Sequence, residues 1–124
     1  GLRRRMLEGG ENAREQEPET LEQVEALLAQ GVLDETHFVI HHALVSIGEE
    51  MSRTAEDVAS GRAEAVWLRV IRSAEKVLQA NHSMHAIYLD NLAQVRVAAG
   101  DLKGAKEAYE RAYRATVRCS GASP

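Results

Sequence analysis

The sequence has a single cysteine, no long apolar run and no excess of positive charge, and each absence removes a class of protein. Cys119 alone cannot form an internal disulfide. That composition suits a reducing compartment, so a cytoplasmic location is expected, with the nucleus as the alternative. No apolar stretch approaches the ~18 residues of a transmembrane helix, and the opening GLRRRMLEGG lacks the apolar core of a secretory signal. No membrane partner is expected. The formal net charge is −4 with acids and bases interspersed, which leaves no basic footprint for nucleic acid. Nothing alternates with period two for long enough to suggest a strand. A chain of 124 residues has room for one modest core and none for a second catalytic domain. It opens on Gly1 and not on Met, which reads as a piece of a longer protein.

What is present is helical. Residues 1–17 combine Arg3, Arg4 and Arg5 with a Gly pair and a Glu-rich run without apolar periodicity, and read as a flexible leader. The basic triplet is either a targeting or docking patch or part of a solvated linker. The helical domain is expected over 18–119, with 120–124 as a tail. PETLEQVEALLAQG places Leu21, Val24, Leu27 and Leu28 at helical spacing between Pro18 and Gly31. Asp34 is a candidate cap for the next helix, in which Phe38, Leu44, Val45, Ile47 and Met51 outline an apolar side, with Val32 or Leu33 as a hydrophobic staple. Thr54 is a good cap residue, and Glu56 and Asp57 suit a first turn, so a break near Ser52 is expected and 52–60 is either helix or loop. Gly61 precedes a helix expected from Arg62 to Gln79.

The last two helices carry the clearest punctuation. SMHAIYLDNLAQVRVAA ends at Gly100, which takes the left-handed conformation at no steric cost, and Asp101 can cap LKGAKEAYERAYRATVR. Glu107 with Arg111 and Glu110 with Arg114 stand four apart in the favourable order, and Arg118 faces the negative end of the dipole. Trp67, Tyr88, Tyr109 and Tyr113 recur at helical positions and read as core filling. The fold class is all-α, with about five or six helices.

From Ala86 to roughly Cys119 the residues Leu92, Ala93, Gly100, Asp101, Ala105, Tyr109 and Ala112 fall in an order that resembles a tetratricopeptide (TPR) repeat. Ala93, Ala105 and Ala112 are small where two helices must approach closely, and Leu92 and Tyr109 are expected to fill the space beside them. Arg96 departs from the pattern, which has an aromatic there, so its stem would pack more loosely. Upstream, AEKVLQANHSMHAIYLDNLA resembles kinesin-light-chain repeats. The same region, together with FVIHH at Phe38–His42, resembles the C-terminal helical domain of SET/MYND lysine methyltransferases. The resemblance implies a short TPR-like stack of antiparallel helix pairs.

No constellation of catalytic side chains emerges. Asn81–Met84, NHSM, is similar to a SET-domain core motif but stands between two helices and not in a strand-rich knot, so no methyl-donor site is expected, and Ser83 reads as a cap. His37 and His41 have the i, i+4 spacing of a metal pair, yet lack a third ligand at diagnostic spacing and an intervening Glu. Cys119 has Arg118 beside it and no histidine or acid fixed near it. Glu15, Glu17, Glu19, Glu22 and Glu25 read as a solvated face. No catalytic residue, cofactor or metal is expected, and the chain is read as a non-enzyme.

The function expected is a protein–protein interaction module. If Leu89, Leu92 and Ala93 point inward, helical geometry turns Ile87, Asp90, Gln94 and Val97 onto the other side as a partner-binding stripe. Asp90 disfavours an acidic C-terminal peptide and prefers a protein or peptide that mixes apolar groups with donors or positive charge. The stripe is otherwise expected to be covered by the chain's own first helices. Two alternatives stand beside this: an accessory domain of a SET/MYND-type methyltransferase that shapes substrate access, and a homo-oligomerisation domain, since about three repeats are needed to bury such a core.

Overall fold

The computed structural model describes residues 18–78 and 83–120, with side chains through Val117. The described residues form six α-helices and no strand: α1 (Leu21–Ala29), α2 (Phe38–Ser52), α3 (Ala55–Ala59), α4 (Arg62–Val77), α5 (Ser83–Ala98) and α6 (Leu102–Ser120). None is long and apolar enough to cross a membrane. The expected leader, and Asn81 and His82 of NHSM, lie outside the described residues, as do the side chains of Arg118 and Cys119.

Each helix starts and stops for a local reason. Thr20 accepts from the Gln23 amide while the Gln23 side chain reaches back to the Thr20 amide, a capping box that opens α1. Asp34 does not cap α2. Its carboxylate accepts from the Thr36 amide at 2.8 Å and the Thr36 hydroxyl at 2.6 Å, closing a turn. The cap is His37, whose Nδ1 accepts from the Val39 amide at 3.2 Å. Thr54 precedes α3 but is not a side-chain cap, because its hydroxyl donates back to the Glu50 carbonyl at 3.3 Å. Ser83 is already the first residue of α5 and not its cap. At Gly100, with φ +86°, the Asp101 amide bonds the Arg96 carbonyl and the Gly100 amide bonds the Val97 carbonyl, a Schellman motif. The Asp101 carboxylate then accepts from the Gly104 amide at 3.0 Å and opens α6.

The helices pack in sequence, α1 on α2, α2 on α4, α4 on α5 and α5 on α6, with short α3 wedged among α2, α4 and α5. The core runs through Val24, Ile40, Leu44, Val66, Trp67, Val70 and Leu92. Trp67 sits at its centre: its indole N–H donates to Ser52 Oγ at 2.8 Å, and that hydroxyl donates on to the Gly48 carbonyl at 2.7 Å. Gly48 lets the ring lie close, since a Cβ there would stand 3.0 Å from the indole Cε2 and the ring would have to shift by a few tenths of an ångström. Arg69 of α4 clamps the N-terminal end, bonding Glu35 through Nε (3.0 Å) and Nη2 (3.3 Å) and Glu25 through Nη1 (2.8 Å).

Several expected core residues lie outside it. Phe38, at the first position of α2, is 74% exposed, and Val32 is exposed while Leu33 packs against the core. Tyr109 and Tyr113 are 41% and 70% exposed. The buried side of α6 is made of alanines, Ala105, Ala108, Ala112 and Ala115. Their methyl groups let α5 and α6 come close, and a tyrosine in that line would push them apart. The expected Glu107–Arg111 and Glu110–Arg114 pairs are not formed, and Arg111 instead reaches across to Glu75 of α4 at 3.4 Å.

Candidate partner-binding face

Helix α5 buries His85, Tyr88, Leu89, Leu92, Ala93 and Val95 and turns Ile87, Asp90, Gln94 and Val97 away from the stack. Ile87 and Val97 are 49% and 46% exposed, and α2 meets α5 at Tyr88, off the stripe, so the chain's first helices leave these two residues open. Ile87 and Asp90 line an open groove of about 410 Å³ between α5 and α6, which is completed by Ala86, Tyr109, Ala112, Tyr113 and Thr116. Gln94 stands one turn beyond the groove and acts on it indirectly: its Nε2 donates to Asp90 Oδ2 at 2.6 Å and orients the carboxylate. Val97 lies a further turn away and does not line the groove.

Sequence spacing alone does not bring Tyr109 and Tyr113 to this face. The signal is present in the 105, 108, 112, 115 spacing of the alanines, because fixing that line as the buried side rotates 109 and 113 by about 100° toward the groove. Among the described residues Asp90 is the one charged residue that lines it. Two tyrosine rings and an isoleucine supply apolar contact, and an oriented carboxylate supplies one strong acceptor. Arg96 is spent elsewhere: Nε and Nη2 each lie 3.0 Å from Glu64 Oε2, and Nη1 donates to the Gly104 carbonyl at 3.1 Å. It therefore ties α4, α5 and α6 together, where the departure from the repeat pattern predicts a looser contact.

The histidine pair diverges. His37 caps α2, while His41 Nε2 lies 3.1 Å from the Tyr88 hydroxyl and the two rings meet edge to face. His41 Nδ1 is buried with no hydrogen-bond partner among the described residues. With its proton on Nε2 the neutral ring donates to the Tyr88 hydroxyl and leaves Nδ1 a bare acceptor; with the proton on Nδ1 it accepts from that hydroxyl. Burial, and secondarily the charge of His42, lowers the His41 pKa from its ordinary value. Among the described residues no group of three or more His, Cys, Asp or Glu side chains gathers as a metal ion would require.

A scan against protein-family models, a search of curated proteins and a search of solved structures each return no match for this chain.

Proposed function

We propose that the chain is a non-catalytic, TPR-like interaction module that holds a peptide or a neighbouring protein segment in the α5/α6 groove. The observation that carries this reading is the juxtaposition of exposed Ile87, Tyr109 and Tyr113 around the carboxylate of Asp90. Exposed large apolar side chains gathered beside one oriented charge are the composition of a recognition site more than of a solvated surface. The preferred ligand is a peptide with an aliphatic or aromatic side chain for the tyrosine shelf and a Lys or Arg two to four residues away for Asp90. An acidic peptide is rejected by the same carboxylate.

The test is a peptide array probed with the chain, followed by fluorescence anisotropy on the peptides captured. An Asp90→Lys, Gln94→Ala double variant should lose the basic-apolar peptides with its thermal midpoint unchanged. Equal binding by a folded double variant removes this face from consideration.

A second reading is favoured by one observation of its own. Exposed Phe38 borders an open apolar groove of about 500 Å³ with Val39, Val45, Met84 and Tyr88, of the kind a neighbouring domain covers. In this reading the chain is an accessory domain of a larger protein, such as a SET/MYND-type methyltransferase, and shapes access to that enzyme's substrate. Protection of Val39 and Val45 amides from hydrogen exchange in a longer protein carrying this chain, relative to the chain alone, tests it. Equal protection rules it out. Calorimetry of the chain with S-adenosylmethionine should show no binding in either reading.

A further inference from the structure

A second groove opens at the α1/α2 end of the stack, away from the α5/α6 face. It is an open concavity of about 810 Å³ whose floor includes Leu21, Ile47 and Met51 and whose rim includes Glu19, Glu22 and Glu50. Asp57 and Arg62, also on the lining, form their own pair at 3.2 Å, so Arg62 does not neutralise the rim. Glu19, Glu22 and Glu50 form no ion pair among the described residues. Three unpaired carboxylates around an apolar floor ask for a segment with several positive charges flanked by apolar side chains.

This chain contains such a segment. Leu2, Arg3, Arg4, Arg5, Met6 and Leu7 put three consecutive arginines between apolar residues, and among residues 1–17 the remaining positive side chain is Arg14. The described chain begins at Pro18, which itself lines the groove. The tether is therefore attached at the site it must serve. Eleven steps from Leu7 to Pro18 reach up to about 36–40 Å when extended and about 17–20 Å as a coil, so the groove lies within range.

We propose that Leu2–Leu7 docks in this groove, with Arg3, Arg4 and Arg5 facing Glu19, Glu22 and Glu50, and Leu2, Met6 and Leu7 over Leu21, Ile47 and Met51. The proposal does not depend on the reading of the α5/α6 face. A tether this short holds the segment at millimolar effective concentration, so weak contacts are enough to keep the groove filled. A basic peptide from another protein then gains access by displacing the chain's own arginines.

The test uses the full chain with Cys119→Ser and a nitroxide attached at Glu8→Cys, observed through ¹⁵N amide signals. With the segment docked at such effective concentrations, the Ile47 and Met51 amides should fall about twofold or more in intensity relative to the reduced label. Arg3→Glu, Arg4→Glu and Arg5→Glu together should restore them. Adding Glu19→Lys, Glu22→Lys and Glu50→Lys should bring the loss back. In the parent, raising salt from about 0.1 to 1 M shortens the screening length from about 10 to 3 Å and should relieve the loss without any substitution. No loss at Ile47 and Met51, or a loss indifferent to both charge reversal and salt, overturns the proposal. So does a loss that also appears when labelled chain is mixed with separate ¹⁵N chain, since the occupant is then a second copy.

Discussion

Two helix contacts in this stack reach close approach by opposite means. Between α2 and α4 one large ring meets one missing side chain: Trp67 lies against Gly48, and its indole is fixed through Ser52 to the same turn of α2. Between α5 and α6 no residue stands out, and closeness comes from a line of alanines, Ala105, Ala108, Ala112 and Ala115. The first contact concentrates its stabilisation in a single fitted pair. The second spreads it along the length of a helix, so each position contributes little and each excludes anything larger. A fitted pair can be repaired by changing its partner, whereas a uniform small-residue seam cannot be repaired at one point.

The most damaging single change should be Trp67→Ala, which empties the centre of the core and is expected to cost about 3–5 kcal/mol in urea unfolding. Next come Gly48→Leu and Ala108→Leu, each expected to cost about 1–3 kcal/mol by overpacking. They separate in a double-mutant cycle. Trp67→Ala should make room for the larger side chain of Gly48→Leu, so the pair costs less than the sum of its singles, while no single change on α5 should rescue Ala108→Leu. Additive costs for Gly48 and Trp67 would mean that the fitted pair is not a pair.

Acid acts on a third contact, between α2 and α5. His41 has its pKa lowered in the fold, first by burial and then by His42, so the unfolded chain binds its proton more readily. Stability from the neutral ring is fully present above the ordinary histidine value of 6.5 and is lost as pH falls through that value toward the lowered one. The thermal midpoint should therefore drop on acidification below about pH 6.5, and His41→Gln should flatten part of that drop. Parallel profiles for parent and variant would assign the acid sensitivity to other groups. The smallest effects belong to Glu107→Ala and Arg114→Ala, exposed residues without ion pairs among the described residues, each expected within about 0.5 kcal/mol of the parent.

Reading the same contacts from sequence alone succeeds where the signal is local. Gly61 and Gly100 mark helix boundaries, and both have positive φ. Leu92, Ala93, Ala105 and Ala112 are buried as their spacing suggests. The failures come from competition between two patterns on one helix. In α6 the alanines and the tyrosines both repeat at helical spacing, and a hydrophobicity argument favours the larger side chain, while close packing favours the smaller. Phe38 fails for a different reason, since apolar periodicity carries no information about where a neighbouring helix ends. The clamp of Arg69 on Glu25 and Glu35 links residues 44 and 34 apart and leaves no local trace. At the candidate face, the α5 stripe is legible because one helix defines it. Its completion by Tyr109 and Tyr113 requires knowing how α6 is rotated.

The central indole also makes the chain its own spectroscopic reporter. With one tryptophan in the sequence, buried against Gly48 and near the Tyr88 ring, emission registers the place where α2, α4 and α5 meet. Helix α6 packs chiefly on α5, so its detachment would remove circular dichroism while leaving the fluorescence almost untouched. Denaturation followed by both signals thus measures cooperativity directly: superimposable curves mean the stack melts as one unit, and an earlier dichroism transition means α6 opens by itself.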